Sequence, residues 1–253
     1  MLLLWLLSPD SFGQLPGSPE RFAHPNFSSA KRHISVPLQH DLRIGIPVAM
    51  IGYGFVALKN DGFNDLDLSI KNEIAEDHPH FSFKLDDYLQ YAPAVAVYTL
   101  NLSGIHRANN LRDLVIISGI ASLTEAITVN SIKHLSHVQK PYGGSYLAFP
   151  SGHTATAFAT AELLRREYKD VSPWIGIAGY TAATITGALR IYNNKHWFSD
   201  VVAGAGLGIL STDLAYAIYP AIRRKLFVNS RSRAIVIPYY HVADKGMALV
   251  FSF

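Results

Sequence analysis

The chain has no cysteine, which excludes disulfides, thiolate metal sites and a cysteine nucleophile. Charge is scarce too: Asp, Glu, Lys and Arg make up 16% of the 253 residues, against roughly 25% in an ordinary soluble domain. The charges nearly cancel, at a formal +3. No basic run is interleaved with aromatics as a nucleic-acid groove requires, so no nucleic-acid partner is expected, and nothing indicates a protein partner. A mean hydropathy of +0.15 does not by itself separate a lipid-embedded chain from a soluble one.

Hydrophobic residues are abundant, at 49%, and they gather into six segments. Uncharged runs cover 44–58, 88–105 and 171–189; 114–132 is broken only by Glu125 and 201–222 only by Asp213. A sixth helix should open near Ser151, after a proline- and glycine-rich stretch from Pro141. These lengths approach the roughly 20 residues of a membrane helix. The run 44–58 falls short of a full span, and six core helices of a soluble α-protein would share the pattern. Glu125 and Asp213 read as interior hydrogen-bonding groups, with a functional pathway through the helices as the alternative. Small residues recur, as in Ala203-Gly-Ala-Gly-Leu-Gly208, and suit close helix contact. The expected fold is all-α, a six-helix transmembrane bundle at 41–228. A lead-in at 1–40 precedes it, with residues 1–8 a possible signal or anchor remnant. A short C-terminal β-hairpin follows at 229–253. Between 59 and 87 the chain reads as an acidic loop, with eight Asp/Glu against three lysines. The opposite helix ends carry Arg107, Arg112, Arg165, Arg166, Lys169, Arg223, Arg224 and Lys225, which places those ends in the cytoplasm and the acidic loop outside.

Three clusters carry chemistry: Lys133-x6-Lys140-Pro141, then Pro150-Ser-Gly-His153, then Arg190-x5-His196-x3-Asp200. Each alone is commonplace, but together they hold what phosphoryl transfer needs. A transferring phosphoryl group spreads negative charge over three oxygens and calls for fixed cations and donors. Lys133, Lys140 and Arg190 are the cations. Ser151 and Gly152, where a turn opens into a helix, would aim backbone N–H groups and the helix dipole at the anion. His196, steadied at its other ring nitrogen by Asp200 four residues on, suits a nucleophile. His153 is then free to serve as general acid and later as base. No metal site or cofactor is expected, since His134-x2-His137 matches no metal-ligand spacing and has no carboxylate nearby.

This constellation resembles the type 2 phosphatidic acid phosphatase superfamily, which includes bacterial non-specific acid phosphatases and vanadium haloperoxidases. The family pattern is Lys-x6-Arg-Pro, Pro-Ser-Gly-His and Ser-Arg-x5-His-x3-Asp. Lys140 stands in place of its first arginine and Leu189 in place of the serine before Arg190. The first change replaces a bidentate fork with a point charge. The resemblance implies metal-independent hydrolysis through a phosphohistidine. It implies a membrane lipid phosphate as substrate, of phosphatidic acid, phosphatidylglycerophosphate, undecaprenyl pyrophosphate or lipid A type. It further implies a multi-pass inner-membrane protein with a periplasmic site. The alternatives are a soluble periplasmic acid phosphatase and a non-catalytic membrane protein that keeps the fold.

Overall fold

The structure, a computed structural model, describes residues 37–78, 81–105, 108–228, 233–241 and 244–252. The lead-in before residue 37, with its signal or anchor reading, lies outside the described residues. Through residue 228 every described element is helical: α1 (Pro37–Ala57), α2 (Asp61–Asp77), α3 (Leu85–Leu89), α4 (Ala92–Leu102), α5 (Leu111–Ser136), α6 (Gly152–Tyr168), α7 (Pro173–Tyr192) and α8 (Phe198–Arg223). Beyond them, Arg233–His241 and Asp244–Ser252 pair antiparallel, with Arg233 opposite Ser252 and His241 opposite Asp244.

Each of the six apolar segments contains a helix, with three departures from the expected outline. First, α1 starts at Pro37 and runs 21 residues, about 31 Å at 1.5 Å per residue. Second, 88–105 is not one run: the chain breaks at Gln90–Tyr91 between α3 and α4, where Pro93 near the start of α4 has no N–H to continue a helix from α3. Third, the acidic stretch is not an open loop. Asn60 caps α2 by accepting from the Gly62 N–H at 3.0 Å, and 17 helical residues follow.

Helices α6 and α8 form the centre: α6 packs on α7, α8, α4 and α5, and α8 packs on α1 and α5. At one end the core is built of large side chains, with Leu114 and Ile117 of α5 against Leu163, Leu164 and Tyr168 of α6 and Tyr219 of α8. At the other end the packing rests on absent side chains. A Cβ on Gly204 would sit 2.5 Å from the Ser151 carbonyl oxygen, one on Gly206 2.6 Å from the Pro47 carbonyl, and one on Gly208 against the Ala155 carbonyl. Gly204 and Gly208, one turn apart, therefore let α8 lie directly on the head of α6, while Gly206 admits α1.

The outward faces of the long helices are apolar. Val48 and Phe55 of α1, Val95 and Leu102 of α4, Leu123 and Ile127 of α5, Trp174 and Ile177 of α7, and Leu214 and Ile218 of α8 are all exposed. Among the described residues, α5 and α8 are long and apolar enough to cross a membrane. Asp213 ion-pairs with Arg166, whose Nε also donates to Glu162 at 2.8 Å. Glu125 is buried, facing Thr156.

Candidate active site

The C-terminal end of α7 and the N-terminal ends of α6 and α8 meet at the small-residue end of the bundle. Arg190 lies in the last turn of α7. The helix is closed by Asn193 N–H donating to Leu189 O and Lys195 N–H to Arg190 O, with Asn194 left-handed at φ 55°. That turn brings His196 back toward the helix it has just left. His196 is therefore in the connection before α8. Asp200, in the first turn of α8, reaches back and accepts from the Trp197 N–H at 2.9 Å. The same oxygen, Oδ2, lies 3.3 Å from His196 Nδ1. The carboxylate thus caps the helix and fixes the imidazole together, leaving Nε2 as the outward nitrogen.

Both groups are buried, His196 at 4% and Asp200 at 0% exposure. Burial, then the charges of Lys133, Arg190 and Lys140, hold the His196 imidazole well below its ordinary range. A neutral ring with a lone pair at Nε2 is what nucleophilic attack needs.

Arg190 is 5% exposed and donates through Nη1 to Asp86 Oδ2 at 2.7 Å and to Asp87 Oδ1 at 3.3 Å. Its buried Nε has no hydrogen-bond partner among the described residues. Burial alone would push the Asp86 carboxyl up, but the Arg190 bond and the Arg190 and Lys195 charges prevail and hold it below its ordinary value. His153, in the first turn of α6, places Nε2 3.1 Å from Asp87 Oδ1.

Lys133 stands near His196 and also holds backbone. Its ammonium donates to Pro150 O at 2.6 Å and Leu147 O at 3.0 Å, with Ala148 O at 3.5 Å, so it ties down the loop that leads into Pro150-Ser-Gly-His153. Lys140 lies over the Tyr142 ring at 5.7 Å, on a loop whose tight turn uses Gly143 and Gly144 at positive φ. Ser151 departs from the expectation. It is fully buried, its N–H donates to Asp200 O at 3.0 Å, and its hydroxyl pairs with Thr154 Oγ1 at 2.9 Å. The close approach of α8 at Gly204 consumes that N–H. Gly152 and His153 remain at the head of α6, ahead of its first intrahelical bond, from Ala155 N–H to Ser151 O.

Three acidic residues of the site were not singled out from the sequence. Asp86 and Asp87 arrive on α3, which Asn193 anchors by paired bonds with the Phe83 backbone at 2.8 and 2.9 Å. Asp67 of α2 is buried and accepts from the Ser199 N–H at 3.0 Å and from the Ser199 hydroxyl, adding a second carboxylate to the positive end of α8. The charge count of 59–87 held all three, but no motif spacing separates them from the five other acids there. A cavity of about 70 Å³ beside His196 is walled by Ile70 and Ile74 of α2 and by Tyr192 and Trp197.

Residues 115–224 match the model of the PAP2 superfamily. The lipid A 1-phosphatase of Porphyromonas gingivalis is 39% identical over 145 residues, which is 57% of this chain and 33% of that relative. This chain thus spans about a third of that relative's length. Among solved structures, LpxE of Aquifex aeolicus is similar at 22% identity and a TM-score of 0.44, covering 58% of this chain and 93% of that one. The PAP2-type phosphatidylglycerolphosphate phosphatase of Bacillus subtilis is similar at 18% identity and a TM-score of 0.49, covering 71% and 98%.

Proposed function

From the PAP2-superfamily segment that the chain carries over residues 115–224, we propose that the protein hydrolyses the phosphate ester or pyrophosphate of a membrane lipid through a phosphohistidine. The observation that carries this reading is the His196–Asp200 pair, buried and facing Arg190, Lys140 and His153 at one end of the bundle. His196 Nε2 attacks phosphorus while His153 gives its proton to the departing oxygen; a P–N bond forms and the P–O bond breaks. Water then attacks, His153 takes its proton, and the P–N bond breaks to release phosphate. Arg190 Nε, Lys140 and the N–H groups of Gly152 and His153 hold the phosphoryl oxygens. Lys133 fixes the loop beneath them and adds its charge.

The reaction uses side-chain cations, so no metal or other cofactor is required. The many exposed apolar side chains on α1, α4, α5, α7 and α8 favour a membrane-embedded protein, since exposing so many of them would be costly in water. The arginine-rich helix ends opposite the site favour a cytoplasmic location for those ends and a periplasmic one for the site. The likeness to a lipid A 1-phosphatase favours a saccharide-linked lipid phosphate among the substrates. The test is phosphate release from phosphatidic acid, phosphatidylglycerophosphate, undecaprenyl pyrophosphate and lipid A, each with and without EDTA. Release that survives EDTA and needs His196 supports the reading. Release from none of them, or release that EDTA abolishes, refutes it.

A further inference from the structure

Both histidines of the site are paired with carboxylates, and they are held by opposite ring nitrogens. Asp200 faces Nδ1 of His196, whereas Asp87 faces Nε2 of His153. Asp87 is no accidental neighbour. It stands on α3, a single turn pinned to the end of α7 by the Asn193–Phe83 pair, and Asp86 beside it grips Arg190. The Asp87 carboxylate is 42% exposed and bridges His153 Nε2 to Arg190 Nη1.

We propose that Asp87 is a positioning residue for the acid–base histidine: it accepts the Nε2–H bond of His153, which leaves Nδ1 as the nitrogen that trades its proton with the leaving oxygen and with water. This rests on the functional reading above. A ring held at one nitrogen presents a single tautomer and a single orientation. The charge of Asp87 matters as much as its geometry. Arg190 of α7 faces His153 against the carboxylates of Asp86 and Asp87 on α3, Lys195 in the connection to α8 reaches those same two carboxylates, and His153 and Lys133 of α5 both face His196. Asp86 is already committed to Arg190 and Lys195. Without Asp87 the surroundings turn more positive and the protonated acid is harder to keep.

The experiment uses the full chain in detergent, as wild type, Asp87→Asn and Asp87→Glu. One readout is the pH profile of kcat for p-nitrophenyl phosphate, whose leaving group needs little protonation, and for hexyl phosphate, whose leaving group needs it fully. The other is the ¹⁵N spectrum of histidine-labelled protein, with His153→Gln to assign the resonance. Asp87→Asn should lower hexyl phosphate turnover at least tenfold and nitrophenyl turnover less than threefold. It should also move the alkaline limb to lower pH, and Asp87→Glu should restore that limb. Wild-type His153 should show the Nε2–H tautomer, and Asp87→Asn a mixture. Equal losses on both esters with an unmoved alkaline limb would overturn the proposal, as would an Nδ1–H tautomer in the wild type. If the wild type hydrolyses neither ester, the functional reading is what has failed, and the tautomer still decides whether Asp87 orients His153.

Discussion

Adding one methyl group at Gly204 should disable the site without touching any residue in it. A Cβ there would lie 2.5 Å from Ser151 O, whereas ordinary contact begins near 3.4 Å, so α8 must withdraw from the head of α6 by about 0.9 Å. Ser151 N–H bonds to Asp200 O across that contact, so the withdrawal separates His196 and Asp200 on one side from His153 on the other. Overpacking of this size costs about 1–3 kcal/mol of stability, and a misplacement of about 1 Å can cost ~10²-fold in rate. Gly119→Ala is the control, because a Cβ there meets nothing within 4 Å; as a helix-interior glycine its replacement should stabilise by about 0.5–1 kcal/mol. The assay is kcat/KM for phosphate release, with thermal unfolding followed by tryptophan fluorescence. Gly204→Ala should be slower by ~10²-fold and melt earlier, while Gly119→Ala keeps full activity. Gly204→Ala activity within twofold of wild type at an unchanged Tm would refute the packing argument.

Lys140→Ala should weaken transition-state binding by about 3 kcal/mol, the scale of one lost oxyanion donor; unchanged kcat/KM would place Lys140 outside the phosphate site. Because burial and its cationic neighbours hold His196 below 6.5, the imidazole is neutral in the folded state at pH values where the unfolded one is protonated. Folding therefore loses stability as pH falls from about 6.5 toward the folded pKa, and the acid limb of kcat/KM should lie below 6.5, as a pH–rate profile will read. The protein should stay in the membrane pellet through a carbonate wash and need detergent for extraction; release into the soluble fraction would favour the soluble acid-phosphatase alternative.

What the sequence revealed depended on the kind of signal. Long apolar runs locate helices because burial demands them, so α5 and α8 were legible almost to their ends. The gathering of His153, Arg190, His196 and Asp200 at one end of the bundle was legible because their spacing is fixed by local turns: the end of α7, the head of α6 and the first turn of α8. The contribution of α3 was not legible. Asp86 and Asp87 act on a residue more than a hundred positions away, and their placement rests on the Asn193–Phe83 contact, which leaves no periodic trace. Ser151 was misread for a related reason. Its N–H would face an anion if α6 stood alone, but Gly204 lets the Asp200 carbonyl reach it first. The stripe Ala203-Gly-Ala-Gly-Leu-Gly208 announced a close contact without saying against what.

The central claim is that His196 carries the phosphoryl group. Rapid acid-free quenching of the enzyme with ³²P-labelled substrate, followed by peptide mapping, tests it directly. With p-nitrophenyl phosphate as the labelled substrate, whose departure needs little acid, the account predicts an acid-labile, alkali-stable phosphate on His196 in the wild type, a greater yield in His153→Ala, where water is no longer activated, and none in His196→Ala. Label on His153, or a labelled His196→Ala enzyme, would contradict it.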